Sequence, residues 1–152
     1  FSVARRRNPK FILAISNQIV CLMNRGQYDF AEILINEGFS QDQSDAFLLH
    51  NKAKIELLKN NLSLALKFID KALKKKSLEK FILTKCDILL KLRNYIEVER
   101  QANRVLKNDP NNSTAMFLKA ESLRRRNQTA KAKLLEKKAK ECERKPRSLL
   151  ED

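Results

Sequence analysis

The sequence predicts an all-α protein built from about four antiparallel helix-turn-helix units, and three observations predict it. Only 2 Gly and 3 Pro occur in 152 residues, so breaks are few and strong helix formers fill most positions. Short polar turns recur: aligned on Gly26, Asn60, Arg93 and Asn127 they fall 34, 33 and 34 residues apart. A period of that size marks a repeat array. Between the turns lie apolar stripes at helical spacing, which one helix cannot bury alone.

The first hairpin carries Phe11, Ile12, Ile15, Ile19 and Leu22 before the turn Arg25-Gly26-Gln27, and Ala31 and Gly38 after it. Gly38 to Ser44 is expected to separate it from the second. There Phe47, Leu48, Ile55 and Leu58 precede Lys59-Asn60-Asn61, and Ala65 and Ala72 follow; Lys76-Ser77 divides the second hairpin from the third. The third runs from Phe81, Ile82, Leu89 and Leu92 through Arg93-Asn94 to Val98 and Val105. It closes at Asn108-Asp109-Pro110-Asn111-Asn112, where Pro110 cannot continue a helix and Ser113 offers a cap for the next. The fourth has Met116, Phe117, Ala120 and Leu123, the turn Arg126-Asn127-Gln128, then Ala132 and Ala139.

Ala31, Ala65, Val98 and Ala132 lie five residues after the aligned turn positions. Gly38, Ala72, Val105 and Ala139 lie seven further on. Small or slim side chains at these two places let paired helices cross closely. Each hairpin leaves an oily stripe that its neighbour covers, so several must stand together.

These residues resemble the tetratricopeptide repeat, a helix pair of about 34 residues with small residues at fixed crossings that ends in Asp-Pro followed by Asn. Asn103 to Asn112, with Asp109-Pro110-Asn111, comes close to that pattern, and Phe117-Leu118-Lys119-Ala120-Glu121 continues it. The resemblance covers about residues 8 to 143 and is loosest in the first hairpin, where Ile19 stands in place of a small residue. It implies a right-handed α-solenoid. The expected organisation is a basic tail over 1–7, a repeat domain over 8–143 (8–40, 43–76, 77–110 and 112–143), and a C-terminal tail over 144–152.

Catalysis finds no candidate. His50 is the only imidazole, and a nucleophile needs a base within hydrogen-bond reach. Gly26 and Gly38 alone cannot form a phosphate-cradling loop. Glu97 and Glu99, like Glu141 and Glu143, are two apart on a helix and point different ways. Cys21, Cys86 and Cys142 are widely spaced and odd in number, so no metal site and no cofactor are expected. Free thiols suit a reducing compartment, which favours the cytoplasm. No stretch approaches the roughly 18 apolar residues of a membrane span. Arg5, Arg6 and Arg7 precede apolar residues broken by Ser16, Asn17 and Gln18, which makes a poor signal-peptide core.

Binding has the stronger case, because stacked hairpins present their first helices along a groove. The groove positions are Asn17, Val20, His50, Asn51, Lys54, Lys80, Thr84, Asp87, Phe117, Glu121 and Arg124, a polar and positive surface suited to a peptide or helix of a protein partner. His50 is expected on that face, binding or solvated. The net charge of +14 adds an acidic partner. Its expected basic surface is Lys74, Lys75, Lys76, Arg124, Arg125, Arg126, Lys133, Lys137 and Lys140, with the last three lying opposite Leu134, Leu135 and Ala139 on the final helix. The predicted function is therefore a non-catalytic scaffold or adaptor, with cytoskeletal or ciliary assemblies among its settings.

RNA binding is the alternative. Basic patches attract phosphates, but base stacking needs exposed aromatics. Here most of the 8 Phe and 2 Tyr are needed in the core, and Tyr28 and Tyr95 sit just after turns. A co-chaperone is a further alternative implied by the resemblance, since such adaptors grip acidic C-termini with a carboxylate clamp of Lys, Asn and Arg. The clamp places hold Ser16, Val20, Asn51, Lys80 and Thr84, of which Asn51 and Lys80 match. Starting one repeat later gives His50, Lys54, Thr84, Thr114 and Leu118, with no match, which argues against it.

Overall fold

A computed structural model describes residues 9–144; the expected tail over 1–7 lies outside them, and of the tail expected over 144–152 only Arg144 is described, as the last residue of the final helix. Eight helices follow one another, with no strand among the described residues: α1 (Pro9–Asn24), α2 (Tyr28–Gln41), α3 (Ala46–Leu58), α4 (Leu62–Lys75), α5 (Glu79–Lys91), α6 (Tyr95–Asn108), α7 (Ser113–Arg125) and α8 (Thr129–Arg144). The architecture is all-α. The chain divides within α5 into two compact units, the first ending at Phe81 and the second beginning at Ile82.

Every turn inside a hairpin uses the same backbone device. Gly26 (φ 74°), Asn60 (65°), Arg93 (61°) and Asn127 (63°) are left-handed, and these are the positions on which the repeat aligns. In each turn the left-handed residue and its successor donate back into the last helical turn. Gly26 N–H reaches Met23 O at 3.0 Å and Gln27 N–H reaches Leu22 O at 2.9 Å; Arg93 reaches Leu90 O and Asn94 reaches Leu89 O, both at 3.0 Å. This pair of bonds is the Schellman motif, which satisfies carbonyls that a helix end leaves open. Gly and Asn accept that conformation readily, whereas a side chain such as Arg pays about 1–2 kcal/mol for it. Arg93→Gly is therefore expected to stabilise the protein by about 1 kcal/mol after the extra chain entropy of glycine is counted, raising the melting temperature by about 2–4 °C. A calorimetric scan showing no rise would contradict this reading of the turn.

In the first unit α1 pairs with α2 and α3 with α4, and both helices of the first hairpin pack on α3. The core gathers Ile12, Ile15, Ile19, Met23, Ala31, Ile35, Leu48 and Ile55, with Tyr28 packed against it. Gly38 is buried inside α2, not in the connection: a Cβ there would lie 2.8 Å from Leu48 Cδ1. The connection is shorter than the spacing suggests, 42–45, and Asp45 ends it by accepting a bond from Leu48 N–H at 3.0 Å. In the second unit α6 packs on α7 and α7 on α8. Asn112, rather than Ser113, caps α7, accepting from Ala115 N–H at 2.9 Å.

All the small crossing positions are buried: Ala31, Ala65, Val98 and Ala132, and likewise Gly38, Ala72, Val105 and Ala139. Three expected core leucines are not. Leu58 ends α3 and Leu92 lies just beyond α5. Both are exposed in the reversal, so the stripe stops one turn earlier at Ile55 and Leu89. Leu134 is 72% exposed; Ala132, Ala139 and half-buried Leu135 supply the inward face of α8 instead.

Candidate functional site

The first unit contains a cleft of about 620 Å³. Ile12, Leu13, Ser16, Asn17 and Val20 line one side from α1, and Phe47, His50, Asn51 and Lys54 line the other from α3. Asp42 and Asp45 close it from the α2–α3 connection, and Lys80 comes from the first turn of α5. Helical spacing explains the two walls: 13, 16, 17 and 20 share a face of α1, as 47, 50, 51 and 54 share one of α3.

Six of the expected groove residues, Asn17, Val20, His50, Asn51, Lys54 and Lys80, therefore meet in one cavity. The others belong to the second unit. Thr84 is buried and Asp87 exposed on α5, and Phe117 is half-buried on α7. Glu121 lines a smaller cleft of about 330 Å³ with Lys91, Arg93, Tyr95 and Arg125. Arg124 is held by Glu121 at 3.2 Å and by Glu136.

The cleft floor is aromatic. His50 is buried and tilts 39° over Phe81 with centroids 4.6 Å apart, so of the two expected roles, binding or solvated, burial removes the solvated one. Burial, then Lys54, then Lys80 push its pKa down to about 3, and at neutral pH it is an uncharged imidazole. Phe47 meets Phe81 edge-on at 5.8 Å and takes Lys76 Nζ at 5.0 Å and Lys80 Nζ at 4.6 Å over its ring. Through these cation–π contacts Lys76, one of the expected basic-surface residues, lies beside the cleft-lining Phe47 while remaining exposed.

Three polar groups facing the cleft lack protein partners among the described residues. Ser16 Oγ is a buried atom with no hydrogen bond. Asn51 is only 4% exposed, and its side-chain amide makes none of the described bonds. Lys54 has no carboxylate partner, and burial, then Lys80, hold its ammonium below the ordinary lysine value. Sequence reasoning placed Asn51 and Lys54 here, met Ser16 only as a mismatched clamp position, and missed Phe47, Asp42 and Asp45. The signal for Phe47 was its i,i+3 and i,i+4 relation to His50 and Asn51; the two aspartates come from a connection that carries no periodicity.

The expected basic surface is unevenly available. Arg124, Arg125 and Arg126 are each paired: Arg125 Nε reaches Glu121 at 3.0 Å and Arg126 reaches Glu99 at 2.6 Å. Lys74 and Lys75 are exposed at the end of α4, and Lys133, Lys137 and Lys140 are exposed on α8. Among the described residues no cluster of His, Cys, Asp and Glu is arranged to hold a metal. Cys86 is buried with its thiol pushed up to about 12, first by burial. No helix of the described residues is long and apolar enough to cross a membrane.

No protein-family model matches the sequence, and no curated protein matches it. Solved structures do. The Pseudomonas aeruginosa protein PilF aligns over 91% of this chain with a TM-score of 0.82 at 18% identity. MamA of Desulfovibrio magneticus RS-1 aligns over 90% of this chain and 77% of its own, with a TM-score of 0.74 at 18% identity. The second tetratricopeptide domain of human RPAP3, solved with the HSP70 peptide SGPTIEEVD, aligns over 74% of this chain and 95% of its own, with a TM-score of 0.65 at 19% identity. The chain has the tetratricopeptide-repeat fold. It spans 64% of the length of PilF. In tetratricopeptide terms α1, α3, α5 and α7 are the first helices of their repeats, and the 620 Å³ cleft lies on the first helices of repeats one and two, with the opening turn of the third.

Proposed function

We propose that this protein is a non-catalytic scaffold that holds a segment of a protein partner in the cleft between α1 and α3. The observation that carries the reading is the unsatisfied polar set on the cleft walls. Ser16 Oγ is buried without a partner, and Asn51 and Lys54 line the cleft with no protein partner among the described residues, so a ligand can take up their bonds without displacing any that hold the fold. Asn51 offers two donors and an acceptor, matching a peptide main chain, while Lys54 and Lys80 favour an acidic side chain or a terminal carboxylate. Ile12, Leu13, Val20 and Phe47 give apolar footing. The RPAP3 domain, solved with a peptide, supports peptide recognition on this fold. A complete chaperone clamp has less support here, because Ser16, Val20 and Thr84 stand at three of its five places without matching them.

The net charge of +14 makes acidic partners, including acidic cytoskeletal tails, the first to test, and the cytoplasm is the proposed setting. RNA binding has less support, because Tyr28 packs against the core and the arginines of the 124–126 run are occupied by glutamates. The deciding experiment is an affinity pull-down at physiological salt with the full chain, followed by direct binding of a segment of the captured protein. Asn51→Ala with Lys54→Ala is expected to weaken that binding at least about tenfold, about 1.4 kcal/mol. Unchanged affinity in the double variant, or retention of RNA instead of protein, would remove the proposal.

A further inference from the structure

The second unit has a trough of about 590 Å³ formed by α6, α7 and α8. Leu123 lies in its floor, Leu135 is half-buried on one wall, and Leu134 stands out beside it at 72% exposure. Lys119, Lys131 and Lys138 rim these leucines, and none of the three has an ion-pair partner among the described residues. The acid in the lining, Glu99, is already bound by Arg126 at 2.6 Å. The trough therefore offers apolar contact enclosed by positive charge that the protein does not neutralise.

We propose that this trough docks an acidic amphipathic helix of a protein partner. On α8 the series Lys131, Leu134, Leu135, Lys138 follows i, i+3, i+4, i+7, so two leucines sit between two lysines on one face about 10 Å long. A partner helix lying along α8 presents the same periodicity: an apolar pair over Leu134 and Leu135, with carboxylates one heptad apart reaching Lys131 and Lys138. A nucleic-acid strand would engage the lysines but leave the leucines wet, and burial of apolar area is the larger gain. An exposed leucine alone would call for no explanation. Its place in a lysine-rimmed trough does. This surface is separate from the cleft on α1 and α3, and the two readings stand or fall independently.

The test uses the full chain, 15N-labelled, titrated with an end-blocked helical peptide that carries paired leucines flanked by glutamates at this spacing. A scrambled peptide of identical composition and a short single-stranded RNA serve as comparators. The expected result is saturable shifts confined to α7 and α8, with binding at least about tenfold tighter than to the scramble. Leu134→Ser alone, and Lys131→Glu with Lys138→Glu, should each weaken binding at least about tenfold, with helicity and melting temperature retained because these side chains are exposed. Equal binding of the scramble, shifts centred elsewhere, no shift at millimolar peptide, or RNA binding tighter than the peptide and insensitive to Leu134→Ser would each overturn the proposal.

Discussion

Lowering the pH from 7 to 5 will destabilise the protein by about 2 kcal/mol, and His50 will account for the change. Its pKa in the folded chain is about 3 against an ordinary 6.5, so folding favours the uncharged ring. Stability is full above the unfolded value and falls by about 1.4 kcal/mol for each pH unit below it, until the folded ring itself takes a proton. The cause is geometric. The ring is buried against Phe81, with Lys54 and Lys80 as the nearby charges. Glu32 and Glu56 have carboxyls held below their ordinary value, so their loss begins only at lower pH. Thermal or urea unfolding across pH 7 to 5 measures the slope, and His50→Gln should flatten it while retaining a polar side chain. A wild-type curve that is level over this range would refute the assignment, as would an equal slope in the variant.

Replacing Lys52 by Met should destabilise the protein by about 2–4 kcal/mol at neutral pH, because it strands a buried carboxylate. Lys52 Nζ lies 3.3 Å from Glu32 and 3.1 Å from Glu56, tying α2 to α3. Glu56 is only 4% exposed. Burial pushes its carboxyl up, but the bonds from Asn61 Nδ2, at 2.8 Å, and Lys52 outweigh it and hold the pKa below the ordinary value. With Lys52 gone only the Asn61 bond and the Lys59 charge still oppose burial, and Glu56 takes up its proton at higher pH than in the parent chain. The deficit should therefore shrink as pH falls toward 4. Adding Glu56→Gln to Lys52→Met should recover most of the loss, since a neutral amide no longer needs a cation. Denaturant unfolding of the single and double variants decides it: a double variant no more stable than Lys52→Met would show that the charge on Glu56 is not the cause.

Much of the repeat was legible because its determinants are local. A left-handed residue every 34 or 33 positions forces Gly, Asn or an exposed polar residue there, and the buried crossing positions admit only small side chains whatever the rest of the helix carries. Both leave marks at fixed spacing. The cleft was half legible: Asn17, Asn51 and Lys54 follow from one face of a helix, and Lys80 from the repeat register. Their companions were not. Asp42 and Asp45 sit in a connection without period, and the neutrality of His50 depends on Phe81, a residue 31 positions away. The basic surface was the least legible part, because charge counting cannot see that Arg126 reaches Glu99 or that Lys76 lies on Phe47.

By itself the sequence determined the helical class, the number of hairpins and the placing of their reversals, since helix periodicity and backbone handedness act within a few residues. Only the tertiary structure decided which charges are paired, which histidine state is populated and that Leu134 faces outward. Those outcomes depend on how neighbouring helices cross, and a small rotation of α8 about its axis would exchange Leu134 for Leu135 without altering the periodicity of either.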